Sequence, residues 1–572
     1  MDGTYCGVGK TASISIGFSD CFHSPCGRHF AAPVVVLASL RSAAVLGVEA
    51  LAVIVEVDVS FGLPVFTMVG LPDASVRESR DRVRTAIRNS GFEFPGHRIT
   101  VNLAPADIRK AGASYDLPIA LGVLAASGVI EPRLVDGVVL LGELSLDGTI
   151  QPIRGVLPVA VAARREGKTA ILLPCANAPE ALVVEGLKVL PVDSLVEAVE
   201  ALNGGAGLMA SATTNADLKV GTTNSGAVVP TFRSAMADSR AASQRDPEPD
   251  FADVIGQTMA KRALEIAAAG GHNVLLIGAP GGGKTMMARR LAGILPPLEF
   301  DEALDCTSVH SVAGTLPPGT ALMHHRPFRA PHHTISEVAM VGGGSIPRPG
   351  EISLAHNGVL FLDELPEFDR RVLEALRQPL EEGRVTVARA ARTSSFPARF
   401  MLVAAMNPCP CGFLGDRRRA CRCSDPQIQR YASRISGPLR DRIDLVVEVQ
   451  AIGSSVRGTV HSNGGEPSSI IRSRVVDART RQHVRFGEAS QRLNRQLEGG
   501  EMSEHCRLDE RTRDVLEAAI HKFCLSARGC DRVVRVSRTI ADLAGAVSIE
   551  SQHVAEALQY RFSESSPGVR QP

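Results

Sequence analysis

The 572-residue chain contains no tryptophan, and aromatic residues make up only 4% of it. Stacking bases on aromatic platforms is therefore not an obvious way for it to hold nucleic acid. A dominant charge is also missing. Lys and Arg number 62 against 61 Asp and Glu, so no global field favours an anionic partner and any such contact must come from local patches. No run of 18 apolar residues free of charge occurs, so no membrane span is expected. The first residues lack a charged segment followed by a clean apolar core, so a secretory signal is not expected either. Twelve unevenly spread cysteines fit a reducing compartment, and a cytoplasmic location is expected.

Hydrophobic residues are plentiful at 44%, and the chain is too long for a single core. Residues 1–37 show no sustained periodicity and read as a disordered extension. Their Gly7–Thr11 run ends like a phosphate loop but has no room for a preceding strand, so it is a decoy. From Val53 apolar and polar residues alternate as in a strand, and strand and helix signals then follow to about residue 202. This predicts an α/β domain over 38–202, with strands at Arg98–Leu103, Gly142–Ile153 and Thr169–Pro174. Residues 203–249 are poor in large apolar side chains and read as a flexible linker. A second α/β domain spans 250–452, a polar linker 453–469, and a helical domain 470–562, with helices at Arg538–Glu550 and Ser551–Phe562. Residues 563–572 form a disordered tail.

The second domain carries the strongest motif. Asn273–Ile277 is a short apolar strand, followed by Gly278-Ala279-Pro280-Gly281-Gly282-Gly283-Lys284-Thr285 and a helix beginning near Met286. Strand, glycine turn and helix in that order let backbone N–H groups wrap phosphates at a helix N-terminus. Lys284 would reach the outer phosphates of ATP, and the Thr285 hydroxyl would hold Mg²⁺. Val359–Leu362 is a buried strand ending in Asp363 and Glu364. Asp363 is placed to organise the metal and Glu364 to deprotonate the attacking water. A third apolar strand, Phe400–Ala405, runs on to Asn407, whose amide either meets the γ-phosphate or simply favours the turn before Pro408.

Cys409, Cys411, Cys421 and Cys423 fall within one short stretch just after that strand. Four thiolates in two close pairs suit structural Zn²⁺, although the Cys-x-Cys spacing is tighter than in usual zinc fingers. The alternative is four reduced thiols in an exposed loop. Arg417, Arg418, Arg419 and Arg422 make the same loop basic.

These motifs, together with Arg329–His333, Arg348–Gly358 and Ser436–Asp444, resemble the magnesium-chelatase-like AAA+ ATPases, and most closely the ComM/YifB group. The resemblance covers about 37–561. It implies a homo-oligomer, a hexameric ring with ATP at subunit interfaces, Arg442 as the arginine finger and Arg528 as the sensor arginine of a helical lid, with Arg532 and Arg535 as competitors. ComM-like proteins are similar to ring helicases that drive branch migration of recombination intermediates, so single-stranded or branched DNA is the implied partner. The chelatase relatives instead remodel partner proteins during metal insertion.

Lys110–Ser114 is similar to the nucleophile segment of Lon-type peptidases, which makes the first domain Lon-like in fold. No lysine follows until Lys168, and the expected place near Leu157–Val159 is apolar, so Ser114 lacks a base and peptidase activity is not expected. Two further groups remain as DNA-contact candidates. His324, His325, His332 and His333 are read as polar loop residues nearer to DNA contact than to a metal site. Arg472, Arg474, Arg479, Arg481, Arg485, Arg492 and Arg495 are expected on one helix, forming either a phosphate-neutralising stripe or a solvated face paired with Asp477 and Glu488.

Overall fold

The computed structural model describes residues 37–204, 249–450 and 465–561, apart from 109, 111, 318, 345–346, 390–391, 417–418 and 488–490. The Gly7–Thr11 run, most of the 203–249 stretch and residues 453–464 lie outside the described residues.

The alternation at Val53, Val55 and Val57 becomes a strand, Glu49–Ser60, with those three side chains fully buried. It pairs antiparallel with Leu37–Leu46 on one side and Arg98–Ala104 on the other. Phe66–Val69 lies outside Arg98–Ala104. Beyond Leu37–Leu46 come Val138–Leu140, Ala170–Pro174 and Lys188–Val192, all parallel, which completes a mixed sheet of seven strands. One face is covered by the helices Ala74–Asn89 and Asp116–Ala126. Every residue of the second helix is buried. It crosses the sheet so closely that a Cβ on Gly122 would lie 2.5 Å from Val57 Cγ2, so glycine is required there. The other face packs on the helix Val156–Arg165. Leu157 and Val159 are buried in it, where a Lon-type site would place its lysine.

The second sheet is wholly parallel, in the order Phe328–Arg329, Val359–Leu362, Met401–Met406, Val274–Gly278, Leu445–Val449. Parallel strands covered on both faces read as unbroken apolar runs, which is why the three motif-bearing strands stood out. One face shares a core with the C-terminal helices through Ile471, Val475, Val533, Ile540 and Tyr560. The other packs against Phe396, Ile435 and Leu439.

Two expectations need correction. Gly142–Ile153 is not one strand but two two-residue strands, Glu143–Leu144 and Ile150–Gln151, paired as a hairpin. The helix expected at Arg538 begins eleven residues earlier and spans Ala527–Leu543, because the Ser526 side chain caps it by accepting the Gly529 N–H. Non-helical chain then leads to Ser551–Gln559. No described helix is long and apolar enough to cross a membrane.

A buried polar contact joins the short helix Ala178–Ala181 to the helix Phe300–Ala313. Ser311 Oγ donates to Glu180 Oε2 at 2.7 Å, and Gly155 N donates to Ser311. Burial pushes the Glu180 carboxyl up, against the hydrogen bonds from Ser311 and Asn177. An acid with a raised folded pKa contributes its stability at low pH and loses it as pH rises through that pKa. Glu180→Gln is therefore expected to melt with the wild type near about pH 4 and above it near about pH 8. Thermal melts across that range check this, and a constant difference between the two proteins contradicts it.

Candidate nucleotide site

The strand Val274–Gly278 delivers the chain into a tight turn because Gly278 has no side chain. A Cβ there would lie 2.2 Å from Val449 O on the adjacent strand. Gly281 and Gly283 hold left-handed backbone, φ 77° and 89°, which favours glycine. The helix Lys284–Ile294 then starts on Gly283 with no side chain capping its first N–H groups, which leaves donors for an anion. Pro280 stands exposed at the turn, while Met286 is partly buried against the core behind it. Lys284 is buried and its Nζ folds back onto Gly278 O at 2.6 Å, Ala279 O at 3.1 Å and Asn407 Oδ1 at 3.1 Å. Burial lowers its pKa, opposed by the carboxylates of Asp363 and Glu364.

The acids stand across the loop. Thr285 Oγ1 donates to Asp363 Oδ2 at 2.6 Å, and Asp363 Oδ1 accepts the Glu364 N–H at 2.9 Å. A hydroxyl and a carboxylate this close are hard oxygen donors that suit Mg²⁺. With the uncapped helix end and the buried lysine, this donor set fits a magnesium-bound triphosphate. Glu364 adopts left-handed backbone, φ 52°, and its carboxylate reaches outward. Local strain of this kind tends to sit where function demands it.

Two residues join the site that the sequence pattern did not assign to it. His333 Nδ1 lies 3.3 Å from Glu364 Oε2, with its ring against His332 and edge-on to Phe368. His333 thus belongs to the acid site rather than to a free loop. Gln257, itself at φ 54°, donates to Gly282 O and Gln450 O and braces the phosphate loop. Neither residue type nor spacing signals these contacts, which depend on how distant segments fold together.

Arg442 donates to Pro438 O at 2.6 Å and pairs with Glu381, and its buried Nε has no hydrogen-bond partner among the described residues. It lines a cavity of about 810 Å³ together with Arg528, Arg532 and Arg535. Arg532 is buried and donates to Arg528 O and Ile443 O, and Arg535 donates to Leu497 O. Arg528 is the exposed one of the three.

The arginine stripe is a correction. Its helix, Ser468–Phe486, ends before Arg492 and Arg495. Arg472 and Arg479 donate to the carbonyls of Gly293 and Ala268, and Arg481 to that of Asp542. Arg474 pairs with Glu265 and Glu466, Arg485 with Asp542, and Arg492 with Glu501. Arg495 donates to Gly271 O and Phe400 O. These cations fasten the helical region to the sheet and to itself, and they do not form an open stripe for phosphates.

The four cysteines do gather. Their sulfurs all lie within 4.8 Å of one another, and this is the one such group of metal-ligating side chains among the described residues. The histidines do not form a second one.

Comparisons with known proteins agree with this layout. The family model described as magnesium chelatase, subunit ChlI, matches residues 250–456, with subunit ChlI of Mg-chelatase over 55–177 and the ChlI C-terminal model over 465–561. The chain is 43% identical to the YifB protein of Salmonella typhimurium over 535 residues, covering 92% of this chain and 97% of the relative. It is 44% identical to the competence protein ComM of Haemophilus influenzae over 532 residues, with the same coverage. Similarity to the magnesium-chelatase 38 kDa subunit of Rhodobacter capsulatus is lower, 28% over 191 residues, covering 30% of this chain and 54% of that one. Matches of this extent, over a parallel sheet that carries a phosphate loop, place the chain in the ComM/YifB family of magnesium-chelatase-like AAA+ ATPases.

Proposed function

We propose that this protein is an ATP-driven ring motor that acts on DNA, promoting branch migration or unwinding of recombination intermediates. The observation that carries the ATPase part is the convergence of Lys284, Thr285, Asp363 and Asn407 around one uncapped helix N-terminus. Mg²⁺ held by Thr285 and Asp363 would neutralise phosphate charge. Lys284 leaves its carbonyl partners for the outer phosphates, and Asn407 orients the γ-phosphate or the water. Glu364 takes the proton of the attacking water. Arg442 of one subunit serves the site of the next, and exposed Arg528 acts as the sensor arginine. On this reading the working units are 38–202, 250–452 and 470–562, assembled as a hexameric homo-oligomer.

Support for the DNA part is the similarity to a competence protein over nearly the whole length of both chains. The matches to chelatase subunits favour a second reading, an ATPase that remodels a protein partner without DNA. ATP turnover measured with and without branched DNA separates the two. The motor reading expects stimulation by DNA that fades as salt rises, because a grip on phosphates releases counterions. Turnover indifferent to DNA at every salt concentration supports the remodelling reading instead.

A further inference from the structure

Cys409 follows Asn407 by two residues, and the 409–423 loop ends where Ser424 caps the helix Asp425–Ala432. From that helix the buried Tyr431 joins the same apolar core as Met406, next to Asn407, and a Cβ on Gly412 would lie 3.8 Å from Asn407 Cγ. At its near end the loop presses on the phosphate loop, where a Cβ on Gly412 would lie 2.6 Å from Pro280 Cδ. Past the helix, Arg434 pairs with Glu367 at 2.7 Å and donates to Pro366 O, in the turn just after Glu364. One loop therefore touches Asn407 and the phosphate loop, and through its following helix it reaches the turn behind the catalytic acids.

We propose that Cys409, Cys411, Cys421 and Cys423 bind one Zn²⁺, and that this metal holds Asn407 and the phosphate loop in the arrangement hydrolysis requires. The second half rests on the nucleotide reading above. Zn–S bonds of about 2.3 Å set the edge of a tetrahedral shell at about 3.8 Å. Sulfur separations here are 3.3 Å for Cys409–Cys411 and 3.6 Å for both Cys409–Cys421 and Cys411–Cys421. All four cysteines are free, and none of these separations approaches the roughly 2.05 Å of a disulfide. Cys421 Sγ also accepts the Cys423 N–H at 3.4 Å. Such a donor stabilises negative sulfur and aims it, as outer-shell partners do at metal sites. Four soft ligands in tetrahedral reach select zinc over the hard Mg²⁺ of the nucleotide site. The metal closes the loop, so its binding energy goes into the order of the segment between Asn407 and Tyr431.

The test uses the full-length chain, dialysed against a chelator and analysed for metal by mass spectrometry, beside a Cys421→Ser/Cys423→Ser variant. The wild type is expected to hold about one zinc per chain and the variant to lose it. The variant is expected to bind a fluorescent ATP analogue while hydrolysing ATP ~10–100-fold more slowly. Because the variant can also fail to fold, wild-type zinc is stripped with a thiol-directed mercurial, the mercury is removed with excess dithiothreitol, and zinc is then restored in constant Mg²⁺. Turnover should fall and recover with zinc content. Wild type without zinc, or turnover unchanged by its loss, overturns the proposal. Metal content is read independently of turnover. Stoichiometric zinc in a chain that never hydrolyses ATP supports the metal site and contradicts the nucleotide reading instead.

Discussion

Arg442→Ala is expected to lower ATP turnover by ~10³–10⁵-fold, the usual worth of an arginine that meets transition-state charge on a phosphoryl group. Nucleotide binding by each subunit should stay near wild type, because the hydrogen-bond and ion-pair partners of the Arg442 side chain among the described residues, Pro438 and Glu381, lie outside the phosphate loop. Stability should change little as well. Glu381 is well exposed, so losing its partner leaves the carboxylate in water. The claim that the residue serves a neighbour has its own check. Arg442→Ala and Lys284→Ala subunits should each be inactive alone, but a mixed ring sets an intact Lys284 beside an intact Arg442. Turnover measured across mixing ratios should pass through a maximum. If Arg442 acted within its own chain, no ratio would recover activity.

Much of the site was legible because its requirements are local. A phosphate loop needs glycines at left-handed positions and an uncapped helix start, and Gly281, Gly283 and Lys284 supply these within a few residues of one another. The strands before Asp363 and Asn407 were legible because burial on both faces demands unbroken apolar runs. The cysteine quartet is compact enough for spacing alone to suggest a cluster. What stayed hidden depends on distant chain. Periodicity placed the arginines of Ser468–Phe486 on a helix, but it could not show that Glu265 and Asp542 arrive from other helices to meet Arg474 and Arg485. The link from His333 to Glu364 is of the same kind, since it depends on Phe328–Arg329 pairing beside Val359–Leu362. Val138–Leu140 escaped notice because three buried residues are too few to show a period. The early start of Ala527–Leu543 was missed because a serine cap followed by Ala-Arg-Gly does not read as helix.

Glu364→Gln carries the second large effect and bears on the whole account. Glutamine keeps the shape of the side chain and can still meet His333, so the left-handed turn and the Asp363 contacts should survive. What it loses is basicity. General-base assistance is typically worth ~10²–10⁴-fold, so turnover should drop by that order while Lys284, Thr285 and Asp363 continue to hold the nucleotide. The direct measurement loads wild type and Glu364→Gln with γ-labelled Mg–ATP, removes the excess, and follows both bound nucleotide and released phosphate. The account predicts near-equal loading, with rapid phosphate release from the wild type and trapped, intact ATP in the variant. Phosphate release from Glu364→Gln at the wild-type rate would contradict it.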